Sequence, residues 1–572
     1  MLLGISCNYQ EALTASKKYN VLQLNIGNLN DVRYPEDEEL EQIPDFNIPI
    51  FIHSKICYNI SKKNINYSIK KEMMVLKHQT YGRGIVIHLS KWYKSKREEA
   101  LEDVVEKLQI LIKNYDARII LETSYHINSL GSNIDDFAYI LKRIKGHNVS
   151  ICLDTSHLYL TGHPVNRPEY ILEYLTEFEI KIGLKRISLI HLNDIESTIF
   201  GKHTPHLDIG EGLIFKDPNV LNYFVTFAKY YNIPIILERN ALDDNIYKNE
   251  IDKINNSPLL FKNEEKFDIF LKNSIVLYFI NKLLEYYEIM GLDDSELRKT
   301  KTNIFNSYKN GDHKLIKINN KYTYNFSFEY QDKFEKILNE DDYHVFDYLF
   351  LEQRYLNIKE LLNIPSIGRE TLNHLLEVGI DSLDKLKDQT LAVKKKLLTP
   401  FQQKVITNHK FIRFIDFDSA HEIVQKIKQS YNHNIHFYGS YYRILNGVEE
   451  PRMIKDIDLL CVGDPRELIT ILKSLFVLKV ELYMGDEKKS YVFLYKKIYF
   501  TLELYICKEN ELPFMSIYLK GPVKQVKKIY SIAKAKGYKM NNKSLTKDGK
   551  RIYFDSDIDV LKFLNIKPII SR

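Results

Sequence analysis

Histidines and carboxylates that could bind metal ions recur along the first half of the chain, and most of them stand where an apolar run ends. The run IIL precedes Glu122, ICL precedes Asp154 and SLI precedes His191. Imidazole and carboxylate groups in this number favour zinc or a similar ion. A single histidine is more often a packed or surface residue than a ligand, so the prediction depends on the whole group. The candidate ligands are His53, His88, Glu122, Asp154, His157, His191, His206 and Glu238.

Short apolar runs alternate with amphipathic segments from Met1 to about Asn240. The runs are VLQLNI, IPIFIH, GIVIHL, ARIILE, VSICLD, ISLIHLND and IPIILE. Segments such as REEALEDVVEKLQILIKNY lie between them and have apolar residues at helical spacing. This alternation predicts a parallel sheet, and six or more units in about 240 residues favour a closed barrel over an open sheet. The carboxyl ends of the strands meet at one rim of such a barrel, where the candidate ligands would converge.

Composition predicts an ordinary globular protein of several domains. Of the 572 residues, 44% are hydrophobic and 27% are charged, and apolar runs such as Ile275 to Ile280 are too short to cross a bilayer. The start of the chain lacks the pattern of a secretory signal. The five cysteines form no CxxC pair, which favours reduced thiols. We therefore expect an intracellular, soluble protein in the nucleus or cytoplasm, with no membrane partner.

Positive charge is concentrated near the C-terminus. The net charge is only +6, but Lys520 to Arg551 contains eleven Lys or Arg and a single acid, Asp548. A polyanion is the natural partner of such a field. A solvated lysine-rich face is the alternative interpretation.

The remaining chain predicts a helical part followed by an α+β part. Residues from about 268 to 415 have apolar positions at helical spacing, and the segment NIPSIGRE, Asn363 to Glu370, predicts a tight turn between two helices. A turn of this kind can offer the amides of a helix start to a phosphate, although an ordinary helix connection has the same pattern. From about 435 onward, strands and helices alternate again.

The N-terminal motifs resemble the endonuclease IV family of apurinic/apyrimidinic endonucleases. These motifs are FIHSKICYNI, GIVIHLSKW, IILETS, ICLDTSHLYLTGH, LIHLNDIES, HLDIGEG and IILER. The resemblance implies a TIM barrel, a (β/α)8 fold, that holds two or three zinc ions. It assigns His53, His88 and Glu122 to the first ion. It assigns Glu122, Asp154, His191 and Glu238 to the second, and His157 and His206 to the third. Glu122 and Glu238 are the expected catalytic carboxylates, with Glu122 as a bridge that neutralises charge between two ions.

Two residues depart from the pattern of that family. Thr204 replaces the usual aspartate two residues before His206, so the third ion loses a carboxylate; His203 or Asp208 could substitute. Ile56 stands where the family usually has a tyrosine against the DNA, so an aliphatic wedge is expected there.

The C-terminal half resembles the family X DNA polymerases, the group that includes polymerase beta, over about residues 270 to 572. The matching motifs are GSYYR, KDIDLL, TLELYI and SIYLKGP. Side chains alternate along a strand, so Asp456 and Asp458 would share a face and bind two Mg²⁺ ions. Glu503 is the candidate third ligand, where the family usually has aspartate.

The same resemblance implies contacts to nucleotide and DNA. The expected nucleotide-binding residues are Gly439, Ser440, Arg443, Tyr518, Leu519 and Gly521. The expected DNA-binding residues are Ile56, Pro365, Ile367, Gly368, Lys527 and Lys528. A faint likeness to the lyase domain of these polymerases makes Lys321 and Lys333 candidates for a Schiff-base lysine, but no lyase activity is assigned.

These patterns together predict a multi-domain α/β plus α+β protein. The expected division is a barrel at 1–245, a linker at 246–267, a lyase-like helical part at 268–345, a helix-hairpin-helix region at 346–420, a nucleotidyltransferase palm at 421–510 and a thumb at 511–572.

The expected function is two consecutive steps of base excision repair. The partners would be double-stranded DNA with an abasic site, nick or short gap, deoxynucleoside triphosphates and a downstream DNA ligase, and we expect a monomer. The alternatives are a metal-dependent sugar isomerase or epimerase, a repair scaffold with a decayed active site, and a template-independent nucleotidyltransferase.

Overall fold

Two units make up the chain, Met1–Tyr348 and Leu349–Arg572. The computed structural model describes residues 1–55, 60, 65–89, 97–116, 118–126, 129–144, 146, 148–199, 201–239, 244–261, 263–309, 315–318, 321–324, 329–364, 367–408, 411–431, 433–446 and 453–566. Within these residues, no helix is both long enough and apolar enough to cross a membrane.

The first unit contains the predicted closed barrel of eight parallel strands, paired in sequence order with the last strand beside the first. The strands are β1 Leu3–Asn8, β2 Leu22–Asn25, β3 Ile50–His53, β4 Gly82–His88, β5 Ile119–Glu122, β6 Val149–Asp154, β7 Ile187–His191 and β8 Ile235–Leu237. Their Ile, Val and Leu content suits strands that are buried on both faces.

An apolar layer fills the barrel interior directly below the rim. It consists of Val21, Phe51, Val86, Ile120, Cys152, Leu189 and Ile236. Since side chains on one face of a strand recur every second residue, the next inward position on each strand is two residues later. Those positions hold Gln23, His53, His88, Glu122, Asp154, His191 and Glu238. The strand register therefore places one polar side chain from each of seven strands on top of the apolar layer.

Helices surround the barrel strands. They are α1 Ala12–Ala15, α2 Asp37–Glu41, α3 Ile65–Lys77, α4 Arg97–Tyr115, α5 Ile134–Arg143, α6 Thr155–Leu160, α7 Pro168–Lys181, α8 Pro218–Tyr230 and α9 Asp244–Asn255. Several begin at polar caps: Asn133 accepts from the Asp136 amide, and Asp217 accepts from the Asn219 amide. The caps explain why these helices begin where they do.

The segment expected as a linker contains a helix, α9. Within it Tyr247, Glu250 and Ile254 are buried. Glu250 pairs with Arg239, which follows β8, and accepts from the Ile209 amide at 2.9 Å. The polar composition around residue 250 reflects an internal ion pair as well as solvent exposure.

The part expected to resemble a lyase domain belongs to the barrel unit. Its elements are α10 Glu264–Met290, α11 Ser295–Lys309, β9 Leu315–Ile318, β10 Lys321–Tyr324 and α12 Gln331–Glu340. Phe267 of α10 stacks on Tyr230 of α8, with ring centroids 5.3 Å apart, and Phe270 contacts Tyr223. The aromatic residues of α10 therefore cover the barrel helices.

Short helices follow along the chain. The first, α13 Asp347–Phe350, begins in the first unit and ends in the second. The next helices, all in the second unit, are α14 Gln353–Asn363, α15 Arg369–Glu377, α16 Leu383–Asp388, α17 Leu391–Leu397, α18 Pro400–Thr407 and α19 Phe417–Ser430. Helix α14 ends at Asn363 and α15 begins at Arg369, on either side of the segment predicted as a turn, and Gly368 is the residue before α15.

A five-stranded mixed sheet follows, with strand order β11, β12, β15, β14, β13. Its elements are β11 Ile435–Tyr438, α20 Gly439–Leu445, β12 Ile457–Val462, α21 Arg466–Leu475, β13 Val477–Met484, β14 Lys488–Tyr495 and β15 Ile498–Cys507. The chain ends with α22 Leu512–Lys520, α23 Val523–Ala535, β16 Lys539–Met540, β17 Leu545–Lys547, β18 Lys550–Ile552 and α24 Asp557–Phe563.

The buried pair of Arg239 and Glu250 predicts a stability effect. Glu250→Ala would remove the nearer carboxylate partner of the Arg239 guanidinium, which is 7% exposed, and would leave only Asp208 at 3.8 Å from Nε. We expect the free energy of unfolding of the barrel unit to fall by about 3 kcal/mol, because a buried charge that loses its close partner is costly. Urea unfolding followed by circular dichroism measures this, with the exposed Asp252→Ala as the control on the same helix. Equal losses in the two variants would contradict the structural role of α9.

Candidate functional site

One buried carboxylate, Glu122, stands at the centre of the polar rim. Its Oε2 atom lies 3.2 Å from His53 Nε2 and 3.3 Å from His88 Nε2. Its Oε1 atom lies 3.1 Å from His191 Nδ1 and 3.3 Å from His157 Nδ1. The two oxygens of Glu122 thus face different pairs of imidazoles, which is the arrangement that a bridging ligand requires.

Two of the ligand groups predicted from the resemblance come together in space. The potential ligand atoms of each group lie within 4.8 Å of one another. The first group is His53, His88 and Glu122, and the second is Glu122, Asp154, His191 and Glu238. In the second group, His191 Nδ1 lies 3.4 Å from Glu238 Oε2 and 3.8 Å from Asp154 Oδ2.

The carboxylates and imidazoles at this rim shift one another's pKa values. Burial alone would lower the pKa of His157, but Asp154 and Glu122 raise it to about 9. Burial alone would raise the pKa of Asp154, but His157 and His206 lower it to about 2. Burial lowers the pKa of His88 to about 4, against the attraction of Glu122. The carboxylates thus favour their ionised form, and they favour positive charge on the imidazoles of His53, His157 and His191, whose pKa values they raise.

Sequence reasoning missed two amides that hold the second group. Gln23 donates from Nε2 to Glu238 Oε1 at 2.7 Å, and its Oε1 lies 2.8 Å from His191 Nε2. Asn193 donates from Nδ2 to Asp154 Oδ2 at 2.7 Å and to Glu238 Oε2 at 3.2 Å. Gln23 was detectable in principle, since it occupies the inward position at the end of VLQLNI; Asn193, just past a strand, gave no pattern of its own.

A third group contains one residue beyond the predicted pair. His157 and His206 are joined by His203, and the potential ligand atoms of all three lie within 4.8 Å of one another. Thr204 instead accepts a hydrogen bond from Ser197 at 3.4 Å. Asp208 lies 3.8 Å from Arg239 Nε, so a guanidinium attracts its carboxylate.

The second unit also gathers acidic residues, around the centre of its mixed sheet. Asp458 on β12 is paired with Glu503 on the parallel strand β15, and Asp456 lies one residue before β12. Burial, followed by Asp456 and Glu503, raises the pKa of Asp458 well above its usual value. Glu503 Oε2 lies 2.6 Å from Lys488 Nζ and accepts from the Tyr505 hydroxyl at 2.8 Å. Lys488 therefore supplies positive charge beside these acids.

Gly439 lies directly against the side chain of Asp458. It has φ of +66°, and a Cβ atom there would lie 1.6 Å from Asp458 Oδ2. Arg443, one turn further on, donates to Ser440 Oγ at 3.2 Å. Only glycine fits this position, because any side chain would collide with the aspartate.

The other predicted nucleotide and DNA contacts fall in different environments. Tyr518 is 44% exposed, whereas Leu519 is buried in a cluster with Tyr438, Leu460, Cys507 and Met515, and Gly521 is also buried. Ile367 is buried and Gly368 is exposed. Lys527 and Lys528 are exposed on α23. Ile56 and Pro365 lie outside the described residues.

The two candidate lyase lysines lie in different surroundings. Lys333 Nζ lies 3.9 Å from the centre of the Tyr348 ring and 3.4 Å from the Val345 carbonyl oxygen. Lys321 is an exposed residue at the start of β10.

Comparisons with known proteins concern the barrel. A family model described as a xylose isomerase-like TIM barrel matches residues 69–256. The chain is similar to the probable endonuclease 4 of Persephonella marina, with 27% identity over 35% of this chain and 73% of that protein. It is 30% identical to the probable endonuclease 4 of Carboxydothermus hydrogenoformans over 33% of this chain and 69% of that protein. The corresponding protein of Malacoplasma penetrans is also 30% identical, over 36% and 73%.

The amide of Gln23 predicts a change in metal affinity. Gln23→Ala removes the donor to Glu238 and the neighbour of His191. Zinc affinity at the second group should fall about 10- to 100-fold, because groups that orient ligands have effects of this size. Competition with a chelating dye measures this, and the exposed Gln109→Ala is the control. Equal zinc affinities in the two variants would show that Gln23 does not orient the site.

Proposed function

The chain belongs to the endonuclease IV family through its N-terminal barrel, and from this premise we propose that the barrel cuts DNA on the 5′ side of abasic sites. The barrel has endonuclease IV-like function, so phosphodiester hydrolysis is its reaction class. The observation that carries the finer proposal is the convergence of four imidazoles on Glu122. The order of the matching motifs along the strands supports it as well.

The donor set fits zinc. Imidazole nitrogens and carboxylate oxygens are typical zinc ligands, and the three groups provide them at short range. Zinc ions bound there would polarise the phosphodiester and lower the pKa of water. Glu122 would bridge the first two groups. Gln23 and Asn193 hold Glu238 and leave it little freedom to rotate.

Neighbouring backbone carbonyls orient the histidines for this role. His53 Nδ1 lies 2.8 Å from the Ser54 carbonyl oxygen, so a proton on Nδ1 satisfies that carbonyl and leaves Nε2 free to bind. The Nε2 atom then faces Glu122. A hydrogen bond to the second nitrogen is the usual way in which a protein sets the tautomer of a ligand.

Incision of a defined substrate tests this proposal. The substrate is a labelled duplex with one abasic analogue, and we expect cleavage that leaves a 3′ hydroxyl and that stops with a strong chelator. A matched duplex without the lesion is the control. Intact abasic duplex after incubation with the zinc-loaded chain would overturn the proposal.

For the second unit we propose Mg²⁺-dependent, template-directed gap filling. The pairing of Asp458 with Glu503, the presence of Asp456 nearby and the glycine contact at Gly439 support a site for two divalent cations and a nucleotide. Glu503 already pairs with Lys488, so a cation that binds Glu503 must either displace the Lys488 ammonium group or share the carboxylate with it. Exposed Lys527 and Lys528 suit contacts to the DNA backbone.

The two proposed activities would act in sequence on one molecule of DNA. Cleavage 5′ to the lesion provides the 3′ hydroxyl that a polymerase extends, and a covalent connection raises the effective concentration of the second site. A DNA ligase would be needed afterwards. Equal repair rates for the intact chain and for its separated halves at low concentration would argue against this coupling.

Glu122→Gln should stop incision. The change removes the charge shared by the two groups, and we expect the rate to fall by about 10³-fold or more, because polarisation by a metal contributes several kcal/mol. Single-turnover incision measures this. The control is Glu98→Gln on the exposed face of α4. Retention of the full incision rate in Glu122→Gln would rule out the bridging role.

Asp458→Asn should separate the two activities. Primer extension on a one-nucleotide gap should fall by about 10³-fold, because a ligand for both cations is lost, while incision is unchanged. The control variant is Asp464→Asn, an exposed residue that pairs with Arg466. Undiminished extension by Asp458→Asn would contradict the proposed palm site, and extension without a template strand would favour the template-independent alternative.

A further inference from the structure

We infer that the third ion of the barrel is held by three imidazoles, those of His157, His203 and His206, and that His203 replaces the carboxylate missing at Thr204. This inference rests on the proposed function, because it concerns the same rim. It assigns a ligand role to a residue outside the pattern of the family, and it makes this site chemically different from the other two.

The three rings surround one small volume. The ring centroids of His203 lie 5.3 Å from those of His206 and 5.7 Å from those of His157. One nitrogen of each ring lies within 4.8 Å of one nitrogen of each other ring. Three nitrogens bound to one tetrahedral zinc at about 2.0 Å lie about 3.3 Å apart, so rings whose nitrogens are this close to one another can reach one ion.

Two of the rings are already oriented for binding. His157 Nδ1 lies 2.8 Å from the Thr123 carbonyl oxygen, and His206 Nδ1 lies 3.3 Å from the Glu238 carbonyl oxygen. A proton on Nδ1 in each case satisfies the carbonyl and leaves Nε2 as the ligand atom. His206 Nε2 also lies 3.2 Å from the Oγ atom of Ser156, a residue of helix α6. This nitrogen therefore faces α6, the helix that carries His157.

The loop that carries His203 and His206 is anchored on Asp194 after His206. Asp194, which is fully buried, accepts hydrogen bonds from the amides of Ile195, Gly210, Gly212 and Ile214 at 2.9 to 3.1 Å. A Cβ atom on Gly212 would lie 2.2 Å from Asp194 Oδ1, so the loop closes tightly on this carboxylate. The Leu207 amide also donates to the Asp194 carbonyl oxygen at 2.9 Å, so His206 stands next to an anchored residue. His203 is exposed, and its ring contacts with His157 and His206 place it beside them.

Thr204 and Asp208, the alternative ligands, interact with other side chains. The Thr204 hydroxyl accepts a hydrogen bond from Ser197, and Asp208 is drawn to Arg239. Among the described histidines of this loop, His203 is the one that joins His157 and His206 in a group.

An all-imidazole site has predictable chemistry. Three neutral ligands leave the full charge of a divalent ion in place, whereas a carboxylate would offset one unit of it. The ion would therefore attract a phosphate oxygen more strongly than its two neighbours, which share Glu122. Imidazole also favours zinc over hard ions such as Mg²⁺ and Mn²⁺, which prefer oxygen ligands.

Metal content of the whole chain tests this inference without any assay of cleavage. We expect three zinc ions per chain in the unaltered protein, one for each group, and two in His203→Ala and in His203→Gln. The control is His78→Ala, an exposed histidine outside the three groups, which should keep three ions. Inductively coupled plasma mass spectrometry after exhaustive dialysis counts the ions, and circular dichroism checks the fold.

A second measurement covers the case in which a variant is poorly folded. When cobalt is titrated into the metal-free, unaltered chain, visible absorption should rise in three steps. The same titration of His203→Gln should lack one of these steps. Three ions in His203→Ala, or fewer than three in the unaltered chain, would overturn the assignment. Two ions in the unaltered chain together with abasic-site cleavage would leave the proposed function intact, whereas no zinc and no cleavage would reject both.

Discussion

The contact that organises the first unit is that of Glu122 with its imidazoles. A carboxylate that is 1% exposed would be expelled from a protein interior unless positive or hydrogen-bonding partners compensated for the lost water. Here four histidines from four different segments provide this compensation. The same histidines would be costly to bury without the acids, so acids and imidazoles must be brought together by the fold at the same time.

The barrel achieves this through its register. Each polar residue of the rim follows an interior apolar residue by two positions, so one periodicity builds both the core and the site. A shift of one residue in any strand would move its ligand to the outer face and its core residue with it. The stability of the apolar layer and the geometry of the ligands are therefore coupled, and the core cannot be repacked freely without an effect on the rim.

Much of the first unit was predictable from local patterns. Apolar runs with a polar residue at the end identified the strands, and that polar residue identified His53, His88, Glu122, Asp154 and His191. The endonuclease IV-like barrel is confirmed by relatives that are 30% identical. Gln23 and Asn193 were missed because an amide has no metal-ligand chemistry of its own and acts only through its neighbours. The sequence predicts a linker where helix α9 lies, because a segment with a buried ion pair has the same polar composition as an exposed segment.

In the second unit, local sequence patterns predict fewer of the contacts around the candidate site than they do in the first. Helices α14 and α15 lie on either side of the segment predicted as a turn, and Asp458 lies on a strand with Gly439 against it. The roles expected of these residues stay predictions. Leu519, in contrast, packs into a core cluster, and Lys488 forms an ion pair with the carboxylate of Glu503. Both outcomes depend on contacts between distant strands and helices, which the periodicity of a single segment does not contain. The polymerase activity accordingly stays a proposal, while the family of the barrel does not depend on it.

A centre for several metal ions built around Glu122 should be visible at the rim of the barrel. Anomalous diffraction at the zinc edge from crystals of the zinc-loaded chain would locate each ion. We expect separate zinc peaks on either side of Glu122, one among His53, His88 and Glu122 and one among Glu122, Asp154, His191 and Glu238. A map with no zinc peak at this carboxylate would contradict this expectation.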